Sequence, residues 1–79
     1  METSKRFPAS IHQRAYKKLR MLHNAKTLTD LRIPPSNCLE KLTGDRQEQY
    51  SIRINRQWRI CFDWENGDAY EVEMVDYHP

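Results

Sequence analysis

The N-terminal third of the chain carries the pattern of an amphipathic helix. Apolar residues recur at steps of four, four, three and three, at Ile11, Ala15, Leu19, Leu22 and Ala25. This spacing places them on one face of an α-helix. Pro8 suits the first turn, where a missing N–H costs nothing. We therefore predict a helix over residues 7–25, with Ser10 and Gln13 as a capping box if the helix begins slightly later.

A second, shorter helix is predicted directly after the first. Residues 27–30 have a polar helix start, Leu28 and Leu31 face inward, and the pair Pro34-Pro35 ends the helix. The turn-forming residues that follow, up to residue 48, predict a loop anchored to the core by leucines.

From residue 50 onward the hydrophobic period changes to two, which is typical of strands. The alternating apolar residues are Tyr50, Ile52 and Ile54, then Trp58, Ile60, Phe62 and Trp64, then Tyr70, Val72 and Met74. Residues 55–57 and the pair Asn66-Gly67 are short enough for tight hairpin turns. The sequence thus predicts an α+β fold, in which two N-terminal helices pack on an antiparallel sheet of three strands and the long helix covers the apolar face.

Length and composition limit what this fold can be. With 79 residues, the chain forms a single domain over residues 1–79, and its thin core leaves room for a partner to complete it. No apolar run approaches the roughly 20 residues that span a bilayer, and the start lacks the apolar segment of a secretory signal, so we expect a cytoplasmic protein. Cys38 and Cys61 are expected to be reduced thiols.

The small net charge of +2 conceals a strong asymmetry along the chain. Residues 1–26 carry seven basic side chains and one acidic one, whereas residues 61–79 carry six acidic side chains and no Lys or Arg. This distribution indicates a polyanion partner for the basic part, or two oppositely charged surfaces that attract each other within one fold. The charge pattern leaves both interpretations open.

Candidate chemistry is confined to the polar sheet face and to the end of the chain. Alternation gathers Arg53, Arg59, Glu71 and Glu73 on one face, where cross-strand ion pairing explains them. Residues 76–78, Asp-Tyr-His, place three proton-carrying groups just beyond a strand. The sequence has no glycine-rich phosphate loop, GxSxG, HExxH or CxxC motif. Two function classes therefore remain: an enzyme that performs cofactor-free acid–base chemistry on a charged substrate, and a binding module.

Several separated motifs, in this order and spacing, resemble the HigB-type toxins of the RelE superfamily. They are residues 25–32 with Pro34-Pro35, Gly44-Asp45-Arg46, and the runs YSIRIN at 50–55, QWRICF at 57–62, WENGDAY at 64–70 and VDYH at 75–78. The resemblance implies a toxin of a type II toxin–antitoxin module that acts as a ribosome-dependent mRNA endoribonuclease. It also implies neutralisation by a HigA-type helix-turn-helix antitoxin, contact with DNA only through the antitoxin complex, and no metal or other cofactor.

The chemistry that the resemblance implies is attack of a ribose 2′-OH on the adjacent phosphate. Its matching positions are Arg59 for phosphate stabilisation, Tyr77 and His78 for proton transfer or base stacking, and Asp76 for orienting its neighbours. The basic residues expected to hold mRNA or ribosomal RNA are Arg46, Arg53, Lys17, Lys18 and Arg20.

The chain departs from the family pattern in two places. Many members carry a His and a Lys before the Gly-Asp-Arg motif, where this chain has Glu40 and Thr43. Members also usually begin with an additional strand ahead of the basic helix, and its loss would expose a sheet edge. The alternative function is therefore a catalytically weak or inactive module that binds its antitoxin or RNA. An independent DNA-binding regulator is disfavoured, because the acidic tail repels DNA.

Overall fold

The computed structural model describes residues 2–3, 8–43 and 49–77, and for residues 2–3 it describes the backbone alone. It has one α-helix, three short 3₁₀ turns and an antiparallel sheet. The elements, in chain order, are β1 (Glu2–Thr3), α1 (His12–Asn24), β2 (Glu40–Lys41), β3 (Gln49–Arg53), β4 (Trp58–Glu65) and β5 (Asp68–Asp76). The predicted α+β class is confirmed.

The long helix forms where its apolar period predicts, but its start differs. A 3₁₀ turn over Ala9–Ile11 precedes α1, and Ile11 occupies the N-cap without a side-chain hydrogen bond. The capping box expected from Ser10 and Gln13 is therefore wrong, because Ser10 lies inside the 3₁₀ turn. No helix in residues 8–43 or 49–77 is long and apolar enough to cross a membrane.

The second predicted helix is a 3₁₀ helix over Leu28–Arg32. Its start is a capping box: the Thr27 hydroxyl accepts from the Asp30 amide, and the Asp30 carboxylate accepts from the Thr27 amide. A further 3₁₀ turn over Pro35–Asn37 follows, so the helical segment is shorter and tighter than predicted.

Within the part of the chain that the structure describes, the sheet has five strands in the order β1-β5-β4-β3-β2, all antiparallel. Its three central strands are the predicted ones, and the expected count was too low because β1 and β2 have only two residues each. The strand expected to be missing from the first edge is represented by β1, in which Glu2 pairs with Asp76 and Thr3 with Val75.

The hydrophobic core lies between α1 and the sheet. Its largest fully buried side chains are Phe62, Leu31, Ile52 and Ile60, with Ala15 and Leu22 contributed by the helix. Burial of such side chains is worth roughly 1.5–3 kcal/mol each. The buried side chains thus confirm the predicted inward faces of α1, β3 and β4.

Strand β5 departs from the predicted alternation because it contains a bulge. Its pairing with β4 shifts by one residue between Cys61 and Asp63, and Glu71 there has a φ of +51°. Met74 packs against the core as predicted, whereas Tyr70 and Val72 are exposed. One inserted residue moves the side chain of Tyr70, which precedes it, to the other face, whereas Val72 follows it and lines a pocket beside Leu19 and Leu22 of α1.

The tight turn predicted between β4 and β5 is present. Asn66 and Gly67 have φ angles of +52° and +83°, the left-handed region that a type I′ hairpin turn needs at both positions. A Cβ on Gly67 would also lie 3.3 Å from the Lys26 carbonyl oxygen. The turn therefore packs directly against the end of the helical segment.

Candidate active site and adjoining basic groove

The centre of the candidate site is Arg59, in the first half of β4. Only 8% of its surface is exposed. Its Nε donates to the Ser51 hydroxyl at 2.8 Å, and its Nη2 donates to the Cys38 carbonyl. Its Nη1 lies 3.7 Å from a carboxylate oxygen of Glu40, whose side chain is 57% exposed. The guanidinium is therefore fixed on its inner side, and its outer corner faces the solvated carboxylate of Glu40.

The position of Arg59 follows from strand register. Arg53 lies opposite Arg59 across β3 and β4, and Ser51 lies opposite Cys61. Directly opposed residues of antiparallel strands share a face, here the one turned away from α1. On β5 the residue opposite Arg59 is Val75. The predicted cross-strand pairing with acidic residues of β5 is wrong for Arg59, whose ion pair is with Glu40 of β2.

Tyr77 joins Arg59 on this face, directly after β5. Its ring lies under the Arg59 guanidinium, with 5.6 Å between the guanidinium carbon and the ring centroid. Its hydroxyl oxygen lies 3.8 Å from the Cys61 sulfur. Burial, followed by the contact with Cys61, raises the pKa of the Tyr77 phenol above its usual value. The phenol is therefore protonated at neutral pH and can donate a hydrogen bond or a proton.

Asp76 is held on the other side of the strand end. It lies opposite Trp58 in the sheet, and its Oδ2 accepts from the side-chain amide of Gln57 at 3.1 Å. The Gln57 carbonyl accepts from the Tyr77 amide at 2.6 Å. One residue of the β3–β4 turn therefore fixes both members of the Asp-Tyr pair, while only Tyr77 adjoins Arg59. His78 lies outside the described residues.

The predicted RNA-binding residues do not form a single surface. Lys17 is exposed and lines a groove beside the β3–β4 turn, together with Arg53. Arg20 lies against the ring of Tyr16, with 5.9 Å between its guanidinium carbon and the ring centroid. Arg46 lies outside the described residues.

Lys18, which was expected to hold RNA, is buried on the same side of α1 as Ala15 and Leu22. Only 8% of its surface is exposed, and its amine donates to Oδ1 of the fully buried Asn37 at 2.5 Å. Burial, and then the charge of Arg14, lowers the pKa of Lys18. Lys18 is therefore engaged within the fold, because the 3₁₀ turn ending at Asn37 folds back against this side of α1.

The groove next to the site has a volume of about 920 Å³ and lies between α1 and the β3–β4 turn. The side chains that line it are Ser10, Gln13, Arg14, Lys17, Lys18, Met21, Ser36, Arg53, Ile54, Asn55, Arg56 and Gln57. Five of these twelve are cations, and none is acidic. The groove therefore offers an anion-binding surface beside the strand end that carries Asp76 and Tyr77.

Sequence reasoning missed three contributors to this site, Ser51, Cys61 and Gln57, and it noted Glu40 as a departure from the family pattern without predicting its contact with Arg59. Alternation does put Ser51 and Cys61 on the polar face, but an uncharged residue there gives no signal of its role. Glu40 belongs to a strand of two residues, too short for a periodic pattern to reveal. Within the described ranges, no group of three or more His, Cys, Asp or Glu side chains could hold a metal ion.

Comparisons with known proteins point to one family. Residues 1–78 match the HigB-like toxin family model, described as the RelE-like toxin of type II toxin–antitoxin system HigB. The chain is 44% identical over 67 residues to Toxin HigB-1 of Vibrio cholerae serotype O1, covering 85% of this chain and 70% of the relative. It is 34% identical over 73 residues to an uncharacterized protein of Haemophilus influenzae, covering 92% of this chain and 72% of that one. It is 48% identical over 40 residues to Endoribonuclease HigB of Proteus vulgaris, covering 51% of this chain and 44% of the relative.

Proposed function

The chain belongs to the HigB-like family of RelE-like toxins of type II toxin–antitoxin systems. From this premise we propose that it is an endoribonuclease that cleaves mRNA on the ribosome. The similarity to Endoribonuclease HigB of Proteus vulgaris supports ribonuclease chemistry. The observation that carries the proposal is the contact between a buried arginine and a protonated phenol at the end of β5.

Arg59 is the phosphate-binding group of this proposal. Its bonds to Ser51 and Cys38 hold the guanidinium before substrate arrives. Such preorganised charge stabilises a developing phosphorane at little reorganisation cost. A phosphate oxygen approaching Nη1 would displace Glu40, an exchange that the 3.7 Å separation and the exposure of Glu40 favour.

The reaction is an internal transfer of the phosphoryl group. The ribose 2′-oxygen forms a bond to the adjacent phosphorus, its proton leaves to a base, and the bond from phosphorus to the 5′-oxygen breaks. The 5′-oxygen takes up a proton, so that the products are a 2′,3′-cyclic phosphate and a 5′-hydroxyl. The protonated Tyr77 supplies a proton donor for this step, and His78, which follows Tyr77 in the sequence, is the second proton-carrying group.

Asp76 serves as a positioning residue rather than a contact to phosphate. Its carboxylate is bonded to Gln57, and its register opposite Trp58 turns it away from Arg59. It fixes the end of β5 and hence the position of Tyr77. Geometry maintained in this way accelerates a reaction by holding the reacting groups in line.

The partners of this proposal are the ribosome with its mRNA and a HigA-type antitoxin, with DNA reached only through the antitoxin complex. Family membership supports an antitoxin partner. The basic groove supports a nucleic-acid substrate. The expected place of action is the cytoplasm, where mRNA is translated.

Expression of the 79-residue chain in cells, followed by primer extension of mRNA 5′ ends, tests the function. We expect cleavages that require translation of the mRNA, disappear with a co-expressed HigA-type antitoxin and disappear in the His78→Gln variant. Arg32→Gln is the matched control, because Arg32 is exposed and does not line the groove. A soluble, folded chain that produces no cleavage would overturn the proposal.

The alternative function is a weak or inactive RelE-like module that binds antitoxin or RNA. It is favoured by one observation, the pairing of Arg59 with Glu40, which neutralises the guanidinium. Glu40→Gln distinguishes the two functions: the variant cleaves at least as well as the parent if Glu40 merely yields to phosphate. If the parent chain arrests growth with no mRNA cleavage, and His78→Gln leaves the arrest unchanged, the binding function is correct.

A further inference from the structure

We propose that the groove between α1 and the β3–β4 turn binds the sugar–phosphate backbone of the mRNA strand next to the bond that is cut. The inference rests on the proposed nuclease function and assigns two residues, Arg14 and Arg56, that the sequence did not single out. It is carried by the groove's charge, by its shape and by its connection to the candidate site.

The charge of the groove comes from two separate elements that converge. Arg14 and Lys17 project from α1, and both are exposed. Arg53 and Arg56 come from the end of β3 and the turn that follows. Among the described residues that line the groove there is no acidic side chain to neutralise them. Like charges brought together without acidic neighbours repel each other, and a polyanion relieves this repulsion.

Two further cations of α1 are already engaged by other side chains of the chain. The amine of Lys18, at the floor of the groove, is bonded to Asn37. Arg20 points to the ring of Tyr16 and does not line the groove. The exposed cations of the groove that remain are Arg14, Lys17 and Arg56, which come from the helix and from the turn on the two sides of the groove. A flexible phosphate chain can follow such a groove.

The groove is joined to the candidate site through two of its lining residues. Gln57 lines the groove, donates to Asp76 and accepts from the Tyr77 amide. Arg53 also lines it, and stands opposite Arg59 in the sheet. The Nε of Arg53 donates to the Asn55 carbonyl in the turn, so the Arg53 side chain reaches from the face of Arg59 to the end of the sheet. A strand whose scissile phosphate lies at Arg59 can therefore pass around this end and place its neighbouring phosphates in the groove. This continuity favours mRNA over ribosomal RNA or an acidic protein segment as the occupant.

The salt dependence of RNA binding provides the first test. The variants are Arg14→Gln, Arg56→Gln and the double variant, with Arg32→Gln as the control for loss of an exposed cation outside the groove. Binding of an unstructured single-stranded oligoribonucleotide is measured by fluorescence anisotropy over a range of salt concentrations. Each phosphate contact with a single strand contributes about −0.7 to the slope of log K against log salt. We expect each groove variant to reduce the slope by about that amount, and the affinity about fivefold near 0.1 M salt, with Arg32→Gln changing neither.

Cleavage on programmed ribosomes provides the second test. We expect the groove variants to raise the protein concentration that gives half-maximal cleavage and to leave the maximal rate unchanged, because they weaken binding and keep the site intact. Urea unfolding confirms that the exposed substitutions leave the fold unchanged. If the parent chain cuts mRNA and the groove variants behave as Arg32→Gln does in both tests, the groove inference is wrong and the nuclease function stands.

The remaining outcomes separate the other occupants and the two proposals. Groove variants that lose affinity for vacant ribosomes but not for the oligoribonucleotide would show that ribosomal RNA is the occupant and overturn the inference. Groove variants that lose affinity for the antitoxin but bind RNA unchanged would show that an acidic protein segment is the occupant. This result would also overturn the inference. Groove-dependent RNA binding without any cleavage would support the groove and overturn the nuclease function.

Discussion

Replacing Tyr77 with phenylalanine separates a proton-transfer role from a stacking role. The substitution removes one oxygen and keeps the ring that lies under Arg59. If the phenol donates a proton in the cleavage step, its loss lowers the rate by about 10²–10⁴. This range corresponds to an increase of about 3–5 kcal/mol in the activation free energy. If the ring only stacks on a base, phenylalanine retains the stacking and the rate falls less than about tenfold.

The stability cost of the same substitution is expected to be much smaller. The hydroxyl oxygen lies 3.8 Å from the Cys61 sulfur, and a hydrogen bond of ordinary strength contributes about 0.5–1.5 kcal/mol. The free energy of unfolding in urea should therefore change by no more than about 1.5 kcal/mol. A rate loss of a hundredfold or more in a chain that remains folded cannot then be attributed to unfolding.

The assay is single-turnover cleavage of mRNA on programmed ribosomes, with Tyr77→Leu as the control that removes the ring as well. Because burial raises the pKa of the phenol, the parent chain should keep its protonated Tyr77, and this contribution to the rate, to a pH above about 10. A Tyr77→Phe variant with the full rate of the parent would refute the proton-transfer role.

Three further predictions follow from contacts elsewhere in the structure. Lys18→Met leaves the buried Oδ1 of Asn37 without its donor and should lower the free energy of unfolding by about 1–3 kcal/mol; a double variant with Asn37→Leu should cost less than the sum of the two single variants, and strict additivity would contradict the coupling. The pKa of Asp30 is lowered by the amides of the loop before it, so its stabilising contribution is present above about pH 4 and lost as the pH falls below its lowered pKa; the stability gap between the parent and Asp30→Asn should shrink on acidification, and a gap independent of pH would refute this. Gln57→Ala removes the hydrogen bond that Gln57 donates to Asp76 and should lower the maximal cleavage rate by about tenfold or more without changing RNA affinity to the same extent; an unchanged rate would show that Asp76 does not need this bond.

Periodicity predicted the parts of the fold in which burial dictates residue type. The steps of three and four from Ile11 to Ala25 identified the helix, and alternation identified the three central strands, because both faces of the core must be filled. Asn66-Gly67 identified its turn for a different reason, since both residues adopt a positive φ. Fold class and family were therefore accessible from the sequence.

The parts that escaped prediction depend on contacts between distant segments. The bulge at Glu71 leaves no signal in the pattern, yet it exposes Tyr70. Burial of Lys18 requires Asn37, 19 residues away, to fold back on the helix. The sequence predicts that Gln57 is a turn residue. Its hydrogen bond to Asp76 depends on the register of the sheet. The sequence identified the chemical groups of the candidate site, and the tertiary contacts decide which of them meet.

The most direct test of the central claim is analysis of the ends of an mRNA cut by the purified chain on programmed ribosomes. The account predicts cleavage that leaves a 2′,3′-cyclic phosphate and a 5′-hydroxyl, and that stops when the nucleotide before the cut carries a 2′-deoxyribose. Products with a 5′-phosphate, or equal cutting of the 2′-deoxy substrate, would contradict attack by the 2′-OH. No cleavage by a folded chain would contradict the nuclease function itself.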